Sequence, residues 1–332
     1  MSAEDIRWLR VQHDTVYEYD APVELAHHLA CLSPRSTPEQ EVRGWKLSIN
    51  PAPDGWNTQF DGVADQERLS FDPWGNGRIV FSHALVHEHL SVSSSFEAGI
   101  RAATPPDVTK SPAWEKVAQS LRYRAGTVET EAVEFVLPTS FAPHEASLAA
   151  FGRRAFKPGV SVAEGALALM TLIHTEFRYA PASTSVGTRA PEALALKRGV
   201  CQDFAHVMIG ACRSLGLAAR YVSGYLLTQP PPGKPRLIGA DASHAWAAVW
   251  CPEHGWMALD PTNNTLAGQD HVTLAWGRDY ADVAPLRGVI RGGGNPEPKV
   301  GVTVEPLVVP VPELRMQVQM QRQGPGPTQT QS

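Results

Sequence analysis

The stretch RGVCQDFAHVMIGACRSLGL, residues 198–217, places a thiol, Cys201, where a loop becomes a helix. A cysteine in the first turn of a helix faces backbone N–H groups that have no intrahelical acceptor, and the helix dipole favours its thiolate. The same position also suits a small apolar residue, since Cys201, Phe204, Met208, Ala211 and Leu215 share one helical face. Gly199-Val200 marks a tight approach to the helix, Gly216 is placed to end it, and Asp203 opposes a thiolate if its carboxylate lies near.

Two partners stand downstream. In SHAWAAVW, strand alternation puts His244, Trp246, Ala248 and Trp250 on one face, and in WMALDPTNN it does the same for Trp256, Ala258 and Asp260. The linking CPEHG contains Pro252 and Gly255, which suit an odd-length bulged turn that pairs Trp250 with Trp256. That register sets Asp260 opposite Trp246 and diagonal to His244, within reach of a carboxylate–imidazole hydrogen bond. Taken singly, His244 reads as a half-buried strand histidine and Asp260 as a turn aspartate before proline. A thiol, an imidazole and a carboxylate in the order Cys, His, Asp together form the nucleophile, base and orienter of acyl-transfer chemistry.

The elements that must carry these residues follow a helix-then-strands order. From Trp8 to Ile100, short apolar runs alternate with Pro and Gly punctuation, the pattern of a sandwich-like β domain. SPAWEKVAQSLR then opens a helical region with Ser111 as its expected cap. SVAEGALALMTLIHTEFRY adds a second helix, capped by Ser161 with Glu164 three residues on and carrying an apolar stripe of Ala166, Met170, Ile173 and Phe177. Strand-like runs follow Leu217, so the fold class is α+β. We expect an N-terminal β domain over 1–105, a linker over 106–112, a catalytic domain over 113–312 and a disordered Gln/Pro/Gly-rich tail over 313–332.

GVCQDFAHVMIGACRSLGLAARYVSGYL, DASHAWAAVW and GWMALDPTNN resemble the core of the bacterial transglutaminase-like proteins, a branch of the papain-like thiol enzymes. The likeness extends to HDTVYEYDAPVELAHHLACLSPR, similar to that family's N-terminal β domain, and to HVTLAWGRDYADVAPLRGV after the core. It implies a papain-like domain, catalytic roles for Cys201, His244 and Asp260, a thioester intermediate and a protein or peptide amide as substrate. Protease, amidase and transglutaminase outcomes all fit it. The Cys201 N–H supplies one oxyanion donor. Tyr179, in FRYAP, is the candidate for a second, by analogy with an aromatic donor in animal transglutaminases; otherwise it is an aromatic core residue. The alternative function is a non-catalytic peptide-binding module on the same fold.

Other chemistries have weaker support. A formal net charge of -5 supplies no basic stripe for nucleic acid or anionic membrane. With no run of about 18 apolar residues and four cysteines lacking CxxC spacing, the expectation is a cytoplasmic protein with free thiols and no membrane partner. His83, His87 and His89 lack the HExxH pattern and, like His27, His28 and His206, read as polar rather than metal-ligating, so no cofactor is implied.

Overall fold

The computed structural model describes residues 6–55, 62–122, 131–228, 243–295 and 297–307, so the expected tail at 313–332 lies outside the described residues. The N-terminal region supplies β1 (Ile6–Ala30), β2 (Gln40–Asn50), β3 (Val63–Ala64), β4 (Ser70–Phe71), β5 (Gly77–His83) and β6 (His87–Arg101). β1 is far longer than an ordinary strand, and its pairing with β6 shifts register between Glu18 and Val23, so it works as two arms. Leu9 and Val11 on its first arm, with Phe81, Leu90 and Val92 from β5 and β6, form the inside of a curled sheet.

The second region begins with α1 (Trp114–Ser120), α2 (Ala146–Gly152), α3 (Val162–Glu176), β7 (Arg178–Tyr179), α4 (Ala190–Leu196), β8 (Arg198–Gly199) and α5 (Cys201–Ser214). It continues through β9 (Ala219–Leu226), β10 (Ser243–Cys251), β11 (Gly255–Asp260), β12 (Thr265–Leu266), β13 (His271–Gly277) and α6 (Tyr280–Val283), then β14 (Leu286–Gly292) and β15 (Lys299–Pro306). The strands β12-β11-β10-β9-β13, in that order, make an antiparallel sheet with α5 against β9 and β10.

The expected stripe of α3 is buried, and Ser161 accepts from the Glu164 N–H. Ser111 differs from expectation. α1 starts two residues later, its cap Ala113 makes no side-chain hydrogen bond, and the Ser111 hydroxyl accepts from the Ala163 N–H instead. α5 is buried all round rather than on one stripe, including Arg213, whose guanidinium donates to the carbonyls of Phe135, Ala219 and Arg278. Such a helix forms the centre of a domain rather than its surface. His206 is also buried, accepts from the Tyr280 N–H, and is held neutral by burial, with its pKa lowered to about 3.

The expected catalytic-domain span of 113–312 needs correction at its C-terminal end. β14 pairs with the second arm of β1 and β15 with the first, so residues 286–306 extend the N-terminal sheet to eight strands. The two arms of β1 present two free edges, and strands this late in the chain can reach them because the sheet curls.

Polar side chains lock the two regions together. β13 is an edge strand, and an uncovered edge leaves backbone donors and acceptors unpaired. The Gln40 amide donates to the Thr273 carbonyl at 2.7 Å and accepts from its N–H at 2.8 Å. The Asn76 amide does the same to Trp276, at 2.7 and 3.0 Å. Each mimics a strand neighbour. Gln40→Leu, which strands both groups of a nearly buried contact, is expected to cost about 1–3 kcal/mol for each group left unpaired, measured by urea unfolding. A change within about 0.5 kcal/mol, the size of an inert surface substitution, contradicts this role.

Candidate active site

Cys201 is the first residue of α5 and is half-buried. The chain reaches it through a turn that only Gly199 permits, because a Cβ there would lie 2.4 Å from the Asp203 Oδ2. That oxygen accepts from the Val200 N–H at 2.8 Å and the Thr184 hydroxyl at 2.7 Å. Asp203 is therefore a cap for the helix that carries the thiol. Burial pushes its pKa up, against these two hydrogen bonds.

The turn at CPEHG pairs Trp250 with Trp256, the expected register. Asp260 therefore comes to His244, with Nε2 and Oδ2 2.7 Å apart. On its other side His244 pairs with Gly224 of β9, where a Cβ would lie 2.0 Å from the Val272 carbonyl and 2.7 Å from the Trp246 ring. Cys201 lies within electrostatic reach of the same ring. Burial by itself lowers the His244 pKa, but the Asp260 hydrogen bond and the charges of Asp260 and Cys201 outweigh it and raise it to about 9.

Asp260 has no exposure to water. Its Oδ1 accepts from the Thr262 and Asn263 N–H groups at 2.9 and 3.2 Å, closing the turn after Pro261. Its Oδ2 meets His244, the Asn263 amide at 2.7 Å and His271 Nε2 at 3.1 Å. Burial raises the carboxyl pKa, but these donors and the His244 charge override it and hold the group far below the usual carboxylate range. The turn-aspartate and imidazole-partner readings of Asp260 are both correct, one on each oxygen.

His271 and Asn263 are the functional neighbours that the sequence did not single out. DPTNN carried the signal for Asn263, since an Asx turn brings residue 263 back onto residue 260. Nothing local marked His271, which arrives through pairing of β13 with β9. The ligand atoms of His244, Asp260 and His271 lie within 4.8 Å of one another, a spacing that suits a metal ion. The hydrogen bonds favour another reading: His271 Nδ1 accepts from the Gly268 N–H at 3.3 Å, so Nε2 carries the proton it gives to Asp260.

Tyr179 pairs with Gly199 across β7 and β8 and edges onto the Phe204 ring. At 51% exposure it is not a core residue. Burial raises its pKa first, and the charge of Cys201 raises it further, which places the phenol in the electrostatic reach of the thiol. A cavity of about 470 Å³ is lined by Asn263, His271, Leu226 and Leu266 among others.

Residues 150–261 match the model described as the transglutaminase-like superfamily, and residues 9–98 that of the bacterial transglutaminase-like N-terminal region. An uncharacterized protein of Mycobacterium tuberculosis is 37% identical over 288 residues, covering 85% of this chain and 87% of its own. One from Mycobacterium leprae is 31% identical over 299 residues, covering 89% and 98%. The crystal structure of a candidate cysteine protease from Cytophaga hutchinsonii superposes with a TM-score of 0.66 over 92% of each chain at 19% identity, a likeness of fold.

The ionic pair has a signed pH dependence. His244 is raised from about 6.5 in the unfolded chain, so its contribution to stability is complete below that pH and disappears as pH rises through about 9. Asp260 is depressed, so its contribution is present above about 3.9 and is lost as pH falls. The difference in unfolding free energy between wild type and Asp260→Asn should therefore be largest near pH 5–6 and shrink toward pH 9.5. Denaturant titrations at both pH values check it, and a difference that grows with pH contradicts the pairing.

Proposed function

Because this chain belongs to the transglutaminase-like superfamily and carries its bacterial N-terminal region, we propose that it is a thiol-dependent enzyme that cleaves a protein or peptide amide through a thioester on Cys201. The observation that carries this reading is the joint placement of three groups. Cys201 starts a largely buried helix, its charge acts on His244, and Asp260 holds one edge of that ring.

With Nε2 engaged by Asp260, Nδ1 is the ring atom left for the thiol. His244 accepts the thiol proton there, and the sulfur attacks the amide carbonyl. As the tetrahedral intermediate collapses, the C–N bond breaks and His244 returns the proton to the departing amine or ammonia. Asp260 stabilises the imidazolium and fixes its orientation, with His271 and Asn263 holding the carboxylate in turn. The Cys201 N–H at the helix start is one oxyanion donor and the Tyr179 hydroxyl is the second. The sulfur–acyl bond then yields to water, giving an acid, or to an amine, giving a new amide. Four free cysteines fit a reducing compartment, in keeping with the cytoplasmic expectation, and no helix among the described residues is long and apolar enough to cross a membrane.

Two measurements test this. In the first, limiting iodoacetamide near pH 6 should label Cys201 first. An unperturbed thiol, with a pKa of about 8.5, is almost wholly protonated there. Cys31, Cys212 and Cys251 are buried, and burial pushes Cys31 and Cys212 up to about 11 and about 12. His244→Ala should remove most of the preference, and labelling of another cysteine ahead of Cys201 in the folded protein would falsify the assignment. In the second, mass spectrometry after incubation with a peptide library should find an acyl group on Cys201 and none on Cys201→Ala. Adding hydroxylamine separates the outcomes: a hydroxamate product marks transfer to an amine, and free acid marks hydrolysis. Peptide binding with no acyl group under any condition identifies a binding module.

A further inference from the structure

Arg178 of β7 and Arg198 of β8 stand opposite each other in a parallel strand pair, and both are exposed. Like charges in that relation repel and weaken the pair. A nearby carboxylate would relieve them, but the candidates close in sequence are engaged elsewhere. Glu176, two residues before Arg178, takes Arg154 on one oxygen and Lys197 on the other. Glu192 accepts from the N–H of Arg189 at the start of its own helix, and Asp203, 1% exposed, accepts from Val200 and Thr184. Among the described residues neither Arg178 nor Arg198 has an ion-pair partner.

The strand pair is tied to the triad from both of its strands. Arg198 is three residues before Cys201, so their Cα atoms are at most about 11 Å apart even along a fully extended chain. Arg178 follows α3, and the last turns of that helix are fastened to the turn after Asp260. The Thr171 hydroxyl donates to the Asn264 side chain at 2.9 Å, and His174 Nδ1 donates to the Thr262 carbonyl at 2.9 Å. Tyr179, next to Arg178, meets the Phe204 ring of α5 edge-on. The positive end of the α5 dipole adds to the two guanidinium charges. In a chain with a formal net charge of -5, the surface next to the thiol therefore has the opposite sign from the whole.

We propose that Arg178 and Arg198 select acidic peptides, those with an aspartate or glutamate within about three residues of the amide that reaches Cys201, the distance an extended chain needs to span this gap. The selection rests on the reading of Cys201 as the reacting thiol. A guanidinium offers a carboxylate a planar fork of donors, and clustered arginines are a recurrent way of recognising acidic motifs. Two arginines held in register by a strand pair keep a fixed spacing at their backbones, and a substrate carboxylate between them removes their repulsion. Because both side chains are exposed and hydrated, they act on capture of the peptide, and so on KM, more than on the chemical step.

The test uses the full chain as Cys201→Ala, which has no thiol at the site to acylate, with three fluorescently labelled peptides of one length. They differ only in carrying Glu, Gln or Lys on both sides of a central glutamine, and binding is followed by polarisation at low salt. The Glu peptide should bind about fivefold more tightly than the Gln peptide, the size expected of two exposed ion pairs, and the Lys peptide more weakly than either. Arg178→Gln together with Arg198→Gln should erase that order, and so should about 0.5 M salt, which screens exposed charges. Equal binding of the Glu and Gln peptides, or a Glu preference that survives both substitutions, overturns the proposal. Mass spectrometry of Cys201 in the wild-type chain with the same peptides separates this result from the catalytic reading. A Glu preference with no acyl group under any condition sinks the thiol mechanism and leaves the arginines as the recognition element of a binding module.

Discussion

A carboxylate sealed from water must have its lone pairs taken by donors, and Asp260 imposes that demand on everything around it. Its two oxygens face different tasks. Oδ1 closes the turn that ends β11, using backbone groups two and three residues ahead, and Oδ2 gathers His244, His271 and Asn263. The turn fixes the carboxylate through its other oxygen, so His244 is oriented by a group that is itself held by the backbone. Gly224 serves the same end from the opposite strand, where its missing side chain lets β13 and Trp246 approach.

α5 is the other half of the arrangement. The first N–H groups of a helix have no intrahelical acceptor, and the Asp203 carboxylate caps this start by taking the N–H of Val200 while Gly199 leaves space for it. The cap that stabilises the helix start therefore sits beside the thiol. Arg213 and His206, polar residues buried farther along, anchor the helix to residues 278–280 and to β9.

The N-terminal sheet is a structural partner of the site as well as an appendage. Gln40 and Asn76 present amides to the free edge of β13, the strand that carries His271, and His13 hydrogen-bonds the Tyr225 hydroxyl on β9 at 2.8 Å. Tyr225, Val272 and Leu274 pack into the same apolar cluster as Leu9 and Val11. The chain then returns through β14 and β15 to finish the sheet it began. A boundary drawn by sequence order fails here because strand pairing follows edges in space.

The sequence by itself determined the elements whose causes are local. The alternation in SHAWAAVW and WMALD, the odd turn at CPEHG and the proline after Asp260 were enough to predict that Asp260 and His244 would meet, because register in a hairpin is set by its turn and by side-chain period. The start of α5 at Cys201 and the Ser161 cap were legible for similar reasons. Ser111 was misread because its hydroxyl found a donor 52 residues away, and no local pattern showed that neighbours cover every face of α5. Only the tertiary structure decided that His271 would reach Asp260, that residues 286–306 would close the N-terminal sheet, and that Arg178 would stand opposite Arg198. Each depends on contacts between distant strands, whose pairing is set by which edges the fold leaves open.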